Sequence, residues 1–160
     1  MPNTSPAVEV RECADAVVVA NTPNGRYLLL GQRGDYAEWA LPGGKIDPND
    51  GDVVDAALRE LREETGLQLD RARVPYVALP RRRVPDPRTT DSVQYWTTPV
   101  RFDIDVDELP TLNPSARELP RVEWVYASTY GTVCQHVEGL GGRIWHAHEQ
   151  MIRDLFASTF

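Results

Sequence analysis

The sequence predicts an α+β fold, a mixed sheet clasped by helices in one domain. Three observations lead there: short apolar runs of strand length, a long segment with apolar residues at helical spacing, and no regular strand-helix-strand rhythm. At 160 residues, of which 41% are hydrophobic, the chain can bury one core of ordinary size.

Residues 1–9 contain Pro and Ser without an apolar core, so a flexible N-terminus is expected there, with residues 10–158 forming the single domain. Residues 13–20 (CADAVVVA) have the composition of a buried strand, and 21–25 (NTPNG) carries the Asn-Gly signal of a tight hairpin. Residues 26–30 (RYLLL) then return as its partner. Residues 39–42 (WALP) are extended, because the residue before a proline is pushed out of helical angles. Over 53–65, Val54, Ala57, Leu58 and Leu61 fall at i, i+3, i+4 and i+7, one helical face, with Asp52 as N-cap and Gly66 as stop. Residues 74–79 are expected to be a strand, 80–91 a loop, and 92–102 a strand that Pro99 marks as an edge or a bulge. Residues 106–120 form a long acidic, proline-punctuated loop, and loops of that length tend to be functional. Residues 122–126 alternate like a strand, and 144–156 close the chain as an amphipathic helix.

The net charge of -7 argues against a polynucleotide partner or an anionic membrane, so a phosphate ligand must be held locally. No run approaches the ~20 apolar residues that span a bilayer. Cys13 and Cys134 lack a metal or redox spacing, so they are expected to be free thiols in a cytoplasmic protein.

Glu60, Glu63 and Glu64 share one edge of the 53–65 helix, within an arc of about 100°. Like charges at this spacing repel, and near a helix C-terminus they also oppose the macrodipole. A hard divalent ion, Mg²⁺ or Mn²⁺, would remove both penalties, since oxygen donors without nearby His or Cys suit such ions. On an arbitrary helix the same spacing more often marks a solvated face, here helped by Arg59 and Arg62. The context favours a site: Gly43 and Gly44 follow a short strand, allowing close backbone approach to a ligand, and Asp47, Asp50 and Asp52 come next.

These residues resemble the Nudix box. Gly44 opens it, and Arg59-Glu60-Leu61-Arg62-Glu63-Glu64-Thr65-Gly66-Leu67 matches the fixed positions of its second half. The glutamate expected between them is Asp50, with Asp52 in competition, and the spacer to Arg59 is one residue longer than the pattern. The resemblance implies a Nudix-type α/β/α sandwich with a mixed central sheet. It also implies that Glu60, Glu63, Glu64 and the Gly44 carbonyl are metal ligands, with Arg59 orienting the carboxylates. Glu118 falls where the family often adds a distal glutamate, with Glu123 as rival, and either Glu63 or Glu118 would act as the base.

The run Asp86-Pro87-Arg88-Thr89-Thr90-Asp91 is similar to a loop of ADP-ribose pyrophosphatases in the family. With Arg33, Arg81 and Arg83, Asp86 and Arg88 are the candidate substrate contacts. Arg81, Arg82 and Arg83 cannot all face one way on an alternating strand. Tyr36, Trp39, Tyr95 and Trp96 offer faces for a base, while His136, His146 and His148 form no ligand set with the carboxylates. The implied activity is Mg²⁺-dependent hydrolysis of a diphosphate bond in a nucleoside diphosphate linked to another moiety, with ADP-ribose, giving AMP and ribose 5-phosphate, as the preferred substrate. A sanitising nucleoside triphosphate pyrophosphohydrolase and a noncatalytic nucleotide sensor are the alternatives. The partner is then a small nucleotide, and a homodimer is in keeping with the resemblance.

Overall fold

The computed structural model describes residues 6–34, 37–115 and 117–157. Tyr36, the first five residues and Ser158 lie outside the described residues. The chain opens with a hairpin of β1 (Glu9–Thr22) and β2 (Gly25–Gln32), closed by Thr22 opposite Gly25. Gly25 sits at φ 134, a conformation side chains rarely tolerate, so the Asn-Gly signal marks the turn for a physical reason. Two short strands follow, β3 (Glu38–Ala40) and β4 (Gly43–Lys45), then helix α1 (Val53–Thr65). Next come β5 (Tyr76–Ala78), β6 (Arg82–Arg83), the long β7 (Val93–Asp105) and β8 (Arg121–Tyr126). Helix α2 (Tyr130–Gly139), β9 (Arg143–Ile144) and helix α3 (His146–Ala157) complete the chain.

The strands form one mixed sheet in the order β5-β7-β1-β2-β3-β9, with β4 joined to β1, β6 to β7 and β8 to β2. β1 pairs parallel with β7 and β3 with β9, and the other pairs are antiparallel. Alternation along β1 divides the core in two. Ala14, Ala16, Val18 and Ala20 pack with Val54, Ala57 and Leu61 of α1. Val17 and Val19 pack on the other side with Val133 and Val137 of α2 and with Met151, Ile152 and Leu155 of α3. The result is the expected α/β/α sandwich, with α1 alone on one face.

The structure extends and corrects the element boundaries. β1 begins at Glu9 because its parallel pairing with β7 runs from Glu9 opposite Val93, a long-range partner with no local signal. The 80–91 loop contains β6, and the sequence reading passed over β4, β9 and α2. A signal for α2 was present: Thr129 at the N-cap and Thr132 at the third helical position form a reciprocal capping box, with Tyr130, Val133 and Val137 at helical spacing. Pro99 lies inside β7, yet its missing donor does no harm. In a strand the N and O of a residue point the same way, and the Pro99 carbonyl accepts from Leu79 at 2.8 Å, in the gap where β5 stops and β6 begins.

Candidate active site

Helix α1 presents the acidic residues. Asp52 caps it by accepting from the Asp55 N–H at 2.9 Å, and Gly66, at φ 74, ends it with its N–H on the Arg62 carbonyl at 3.0 Å. Glu60 and Glu64, one turn apart, are buried, 7% and 5% exposed. Burial on this scale sets them apart from a solvated charged face. Glu63 points elsewhere, half exposed, with its carboxylate 3.3 Å from Arg59.

Arg59 is the organiser of this edge. Its Nε and Nη2 each donate to Asp50 at 3.0 Å, a fork on a carboxylate, while Nη1 reaches Glu60 at 2.9 Å and Nη2 also meets the Lys45 carbonyl at 3.0 Å. Asp50, not Asp52, is therefore the carboxylate that partners the arginine; Asp52 is engaged in capping and in binding Arg71. In the turn ahead of α1 the Asp47 N–H donates to Asp50 at 2.8 Å, and across the longer spacer Asp50 still reaches Arg59. The Arg59 hydrogen bonds hold Asp50 below the usual carboxylate range, and Asp50 in turn raises Arg59.

Glu118 arrives from the long loop after β7. The Asn113 N–H donates to the Thr65 carbonyl at 2.8 Å and the Ser115 N–H to the Glu64 carbonyl at 3.0 Å, so the loop satisfies carbonyls that the end of α1 leaves open. Leu119 is buried against Gly31, where any Cβ would overlap it, and Trp124 Nε1 donates to the Pro110 carbonyl at 2.9 Å. Glu118 thereby joins Glu60 and Glu64, the three offering oxygens within 4.8 Å of one another. Its rival Glu123 sits within β8, paired with Leu30 and facing Arg121. Burial, and after it the Glu60 charge, pushes Glu64 up to about 9; burial also raises Glu60 against the pull of Arg59. Crowded carboxylates, two of them desolvated and the third open to the cavity, accept a hard cation readily, which makes the trio a fitting donor set.

Beside the trio lies a cavity of about 420 Å³. Gly43, Gly44, Glu64 and Glu118 form one end. Gly44 is held close to Glu60, leaving no room for a side chain, and the Gly43 N–H donates to Glu64 at 3.3 Å. Arg33, Asp86 and Arg88 also line the cavity, with Tyr95 and Trp145 as its aromatic walls. Arg33 lies 3.4 Å over the Trp145 ring and Arg88 4.6 Å over Tyr95. Arg88 forks onto Asp86 at 2.9 and 2.7 Å. Burial lowers the pKa of Arg33, and the Arg88 charge adds to this.

Of the remaining sequence candidates among the described residues, only His148 lines the cavity. Arg81 pairs with Glu12 and stacks on Trp96, and Arg82 pairs with Asp154 at 2.8 Å. Arg83 is exposed beyond the rim. Trp39 is wholly buried. His148 is buried with Nδ1 accepting from the Leu41 N–H at 3.1 Å, His136 accepts from the Tyr126 N–H at 2.9 Å, and His146 is exposed. Sequence reasoning missed Trp145, Thr97 and Asp15. Only Asp15 left a trace, as the single acid in an otherwise apolar run.

Comparison with known proteins agrees with the fold. A mitochondrial coenzyme A diphosphatase, NUDT8 of Mus musculus, is 34% identical over 85 residues, a stretch covering 53% of this chain and 37% of that protein. The match thus spans little more than a third of that relative's length. Among solved structures, a bifunctional NMN adenylyltransferase/ADP ribose pyrophosphatase from Francisella tularensis, also solved with AMP and a Mn ion, superposes with a TM-score of 0.69 at 22% identity, over 96% of this chain and 42% of that one. The NUDIX domain of Shewanella oneidensis NrtR, crystallised with ADP ribose, gives a TM-score of 0.64 at 20% identity, over 97% and 90% of the two chains. The family model described as the NUDIX domain matches residues 11–133, from β1 through the acidic helix to α2, and the chain belongs to that family.

Proposed function

We propose that this protein is a Nudix hydrolase that cleaves the diphosphate bond of a nucleoside diphosphate linked to another moiety, with ADP-ribose, giving AMP and ribose 5-phosphate, as the preferred substrate. The observation that carries this reading is the trio of buried Glu60 and Glu64 with exposed Glu118, beside a cavity that arginines also line. These three residues would hold the divalent cation, Mg²⁺ or Mn²⁺, with the Gly44 carbonyl beside them. When bound, such an ion neutralises diphosphate charge and makes a water acidic enough to attack at neutral pH.

The chain's own residues supply the rest. Arg59, locked by Asp50, holds Glu60 in place and keeps Glu63 beside it. Arg33 and Arg88 meet the phosphate oxygens, the stacked aromatic rings keeping each guanidinium planar and oriented. Glu118 lines the cavity and is exposed, so it, rather than the Arg59-bound Glu63, takes the proton of the attacking water. A neighbour crystallised with ADP ribose and another named an ADP ribose pyrophosphatase support the substrate.

The test is a panel of ADP-ribose, coenzyme A and nucleoside triphosphates, with and without Mg²⁺, with product identification. AMP and ribose 5-phosphate from ADP-ribose as the fastest reaction is the expected result. Turnover of none of them by metal-loaded protein would sink the proposal.

A further inference from the structure

Asp15 sits on β1 with 5% of its surface exposed, yet it lines the cavity that Arg33 and Arg88 also line. Its two oxygens are treated differently. Oδ2 accepts from the buried Thr97 hydroxyl at 2.6 Å. Oδ1 has His148 Nε2 at 3.7 Å, beyond hydrogen-bond range. His148 cannot close this gap by turning, because its Nδ1 is bound to the Leu41 N–H in the wall behind it. Nor can the backbone move in, since Gly43 already packs against Oδ1, with no space for a Cβ. Among the described residues no donor lies within hydrogen-bond range of Oδ1, and this oxygen opens into the cavity instead of being sealed in the core. An acceptor that opens into a cavity takes its partner from what fills that cavity, water when it is empty and ligand when it is occupied.

We propose that Asp15 is the specificity-determining acceptor of the cavity: Oδ1 takes a hydrogen bond from an N–H or O–H donor on the ligand outside its diphosphate. This rests on the diphosphate reading for the rest of the ligand. Phosphate oxygens are excluded from this spot by like charge and are drawn to Arg33, Arg88 and the acidic end with its cation. The group over Asp15 is therefore neutral and donor-bearing, either the amine of a nucleobase or a sugar hydroxyl. A carbonyl in the same place would set two acceptors against each other. Thr97 is the positioning residue, its hydroxyl fixing which oxygen faces the ligand.

The test reads binding without turnover. Calorimetry in EDTA compares ADP-ribose with inosine diphosphate ribose, in which a carbonyl replaces the base amine, and with an ADP-ribose analogue lacking the terminal sugar hydroxyls. In the wild-type protein one of the two analogues binds ten- to a hundredfold more weakly than ADP-ribose, the range of a hydrogen bond to a charged group. In Asp15→Asn the discrimination against that analogue shrinks to a few-fold or less, because the amide offers a donor as well as an acceptor. Thr97→Val, which keeps the shape and frees Oδ2, shrinks it too, and serves if Asp15→Asn does not fold. Equal weakening of all three ligands by both variants means a purely structural role and overturns the proposal, as does a wild-type protein indifferent to both analogues. Asp15-dependent discrimination in a protein that hydrolyses nothing with Mg²⁺ keeps this inference and removes the hydrolytic one.

Discussion

Cation binding should expel a proton from Glu64. The oxygens of Glu60, Glu64 and Glu118 lie within 4.8 Å of one another. At an effective dielectric of about 20, two unit charges at that separation repel by roughly 3.5 kcal/mol, or about 2.5 pKa units per neighbour. Added to burial, this is enough to carry one carboxyl across neutrality, and Glu64 is the one pushed up to about 9. At pH 7.5 the cation-free protein then holds a proton on Glu64 that an incoming divalent ion displaces, so uptake of Mn²⁺ or Mg²⁺ releases about one proton. Titration calorimetry in buffers of different ionisation enthalpy counts it from the slope of observed heat against buffer heat. Glu64→Gln, neutral at every pH, should bind the ion weakly and with no such slope from this site, while Glu63→Gln should keep it. Heats that are the same in every buffer for the wild-type protein would refute the reasoning, whatever the affinity.

The same proton governs stability. Glu64 has a folded pKa above its ordinary value, so in the cation-free protein its contribution is full below about 4.5 and is lost as pH rises toward about 9. The melting temperature should fall across that window, less steeply with saturating Mg²⁺ or in Glu64→Gln; a metal-free melting curve with no downward trend there contradicts the assignment. Asp50→Ala removes both prongs of the Arg59 fork and should cost about 2 kcal/mol, read by denaturant unfolding, and weaken Mn²⁺ binding as Arg59 is released onto Glu60. Arg59→Lys, which lacks the fork, should not behave as wild type. Gly31→Ala drives a Cβ into Leu119 and should cost roughly 1–3 kcal/mol; loss of Mn²⁺ affinity measured by electron paramagnetic resonance would show that Glu118 has moved with it.

Much of this molecule could be read in the sequence because the signals were local. Asp52, the apolar stripe and Gly66 are neighbours in the chain, and α1 has the predicted ends. The hairpin was legible for the same reason, since Gly25 meets its turn requirement within a few residues. What failed to show depends on distant partners. β4 and β9 exist only because β1 and β3 run alongside them, and their few residues carry no periodicity of their own. Asp50 and Asp52 were indistinguishable until Arg59 chose one and Arg71 the other. The substrate side was the least legible: Asp15, Thr97 and Trp145 come from three remote segments and meet only in the folded sheet. Arg33, Asp86 and Arg88 line the same cavity, while Arg81, Arg82 and Arg83 do not; alternation said that those three could not all face one way, but not that none of them would line it.

The loop that carries Glu118 matters for the kinetics of the site as well as its geometry. A donor on a floppy segment must be gathered in by the ion, and the conformational freedom lost is subtracted from affinity. Here the Asn113 and Ser115 amides clasp the Thr65 and Glu64 carbonyls, and Leu119 is anchored beneath Gly31. The freedom of that segment is therefore surrendered during folding. An ion binding at the proposed site would meet a preassembled chelator, and its exchange would be governed by dehydration and proton loss, not by the closing of a loop.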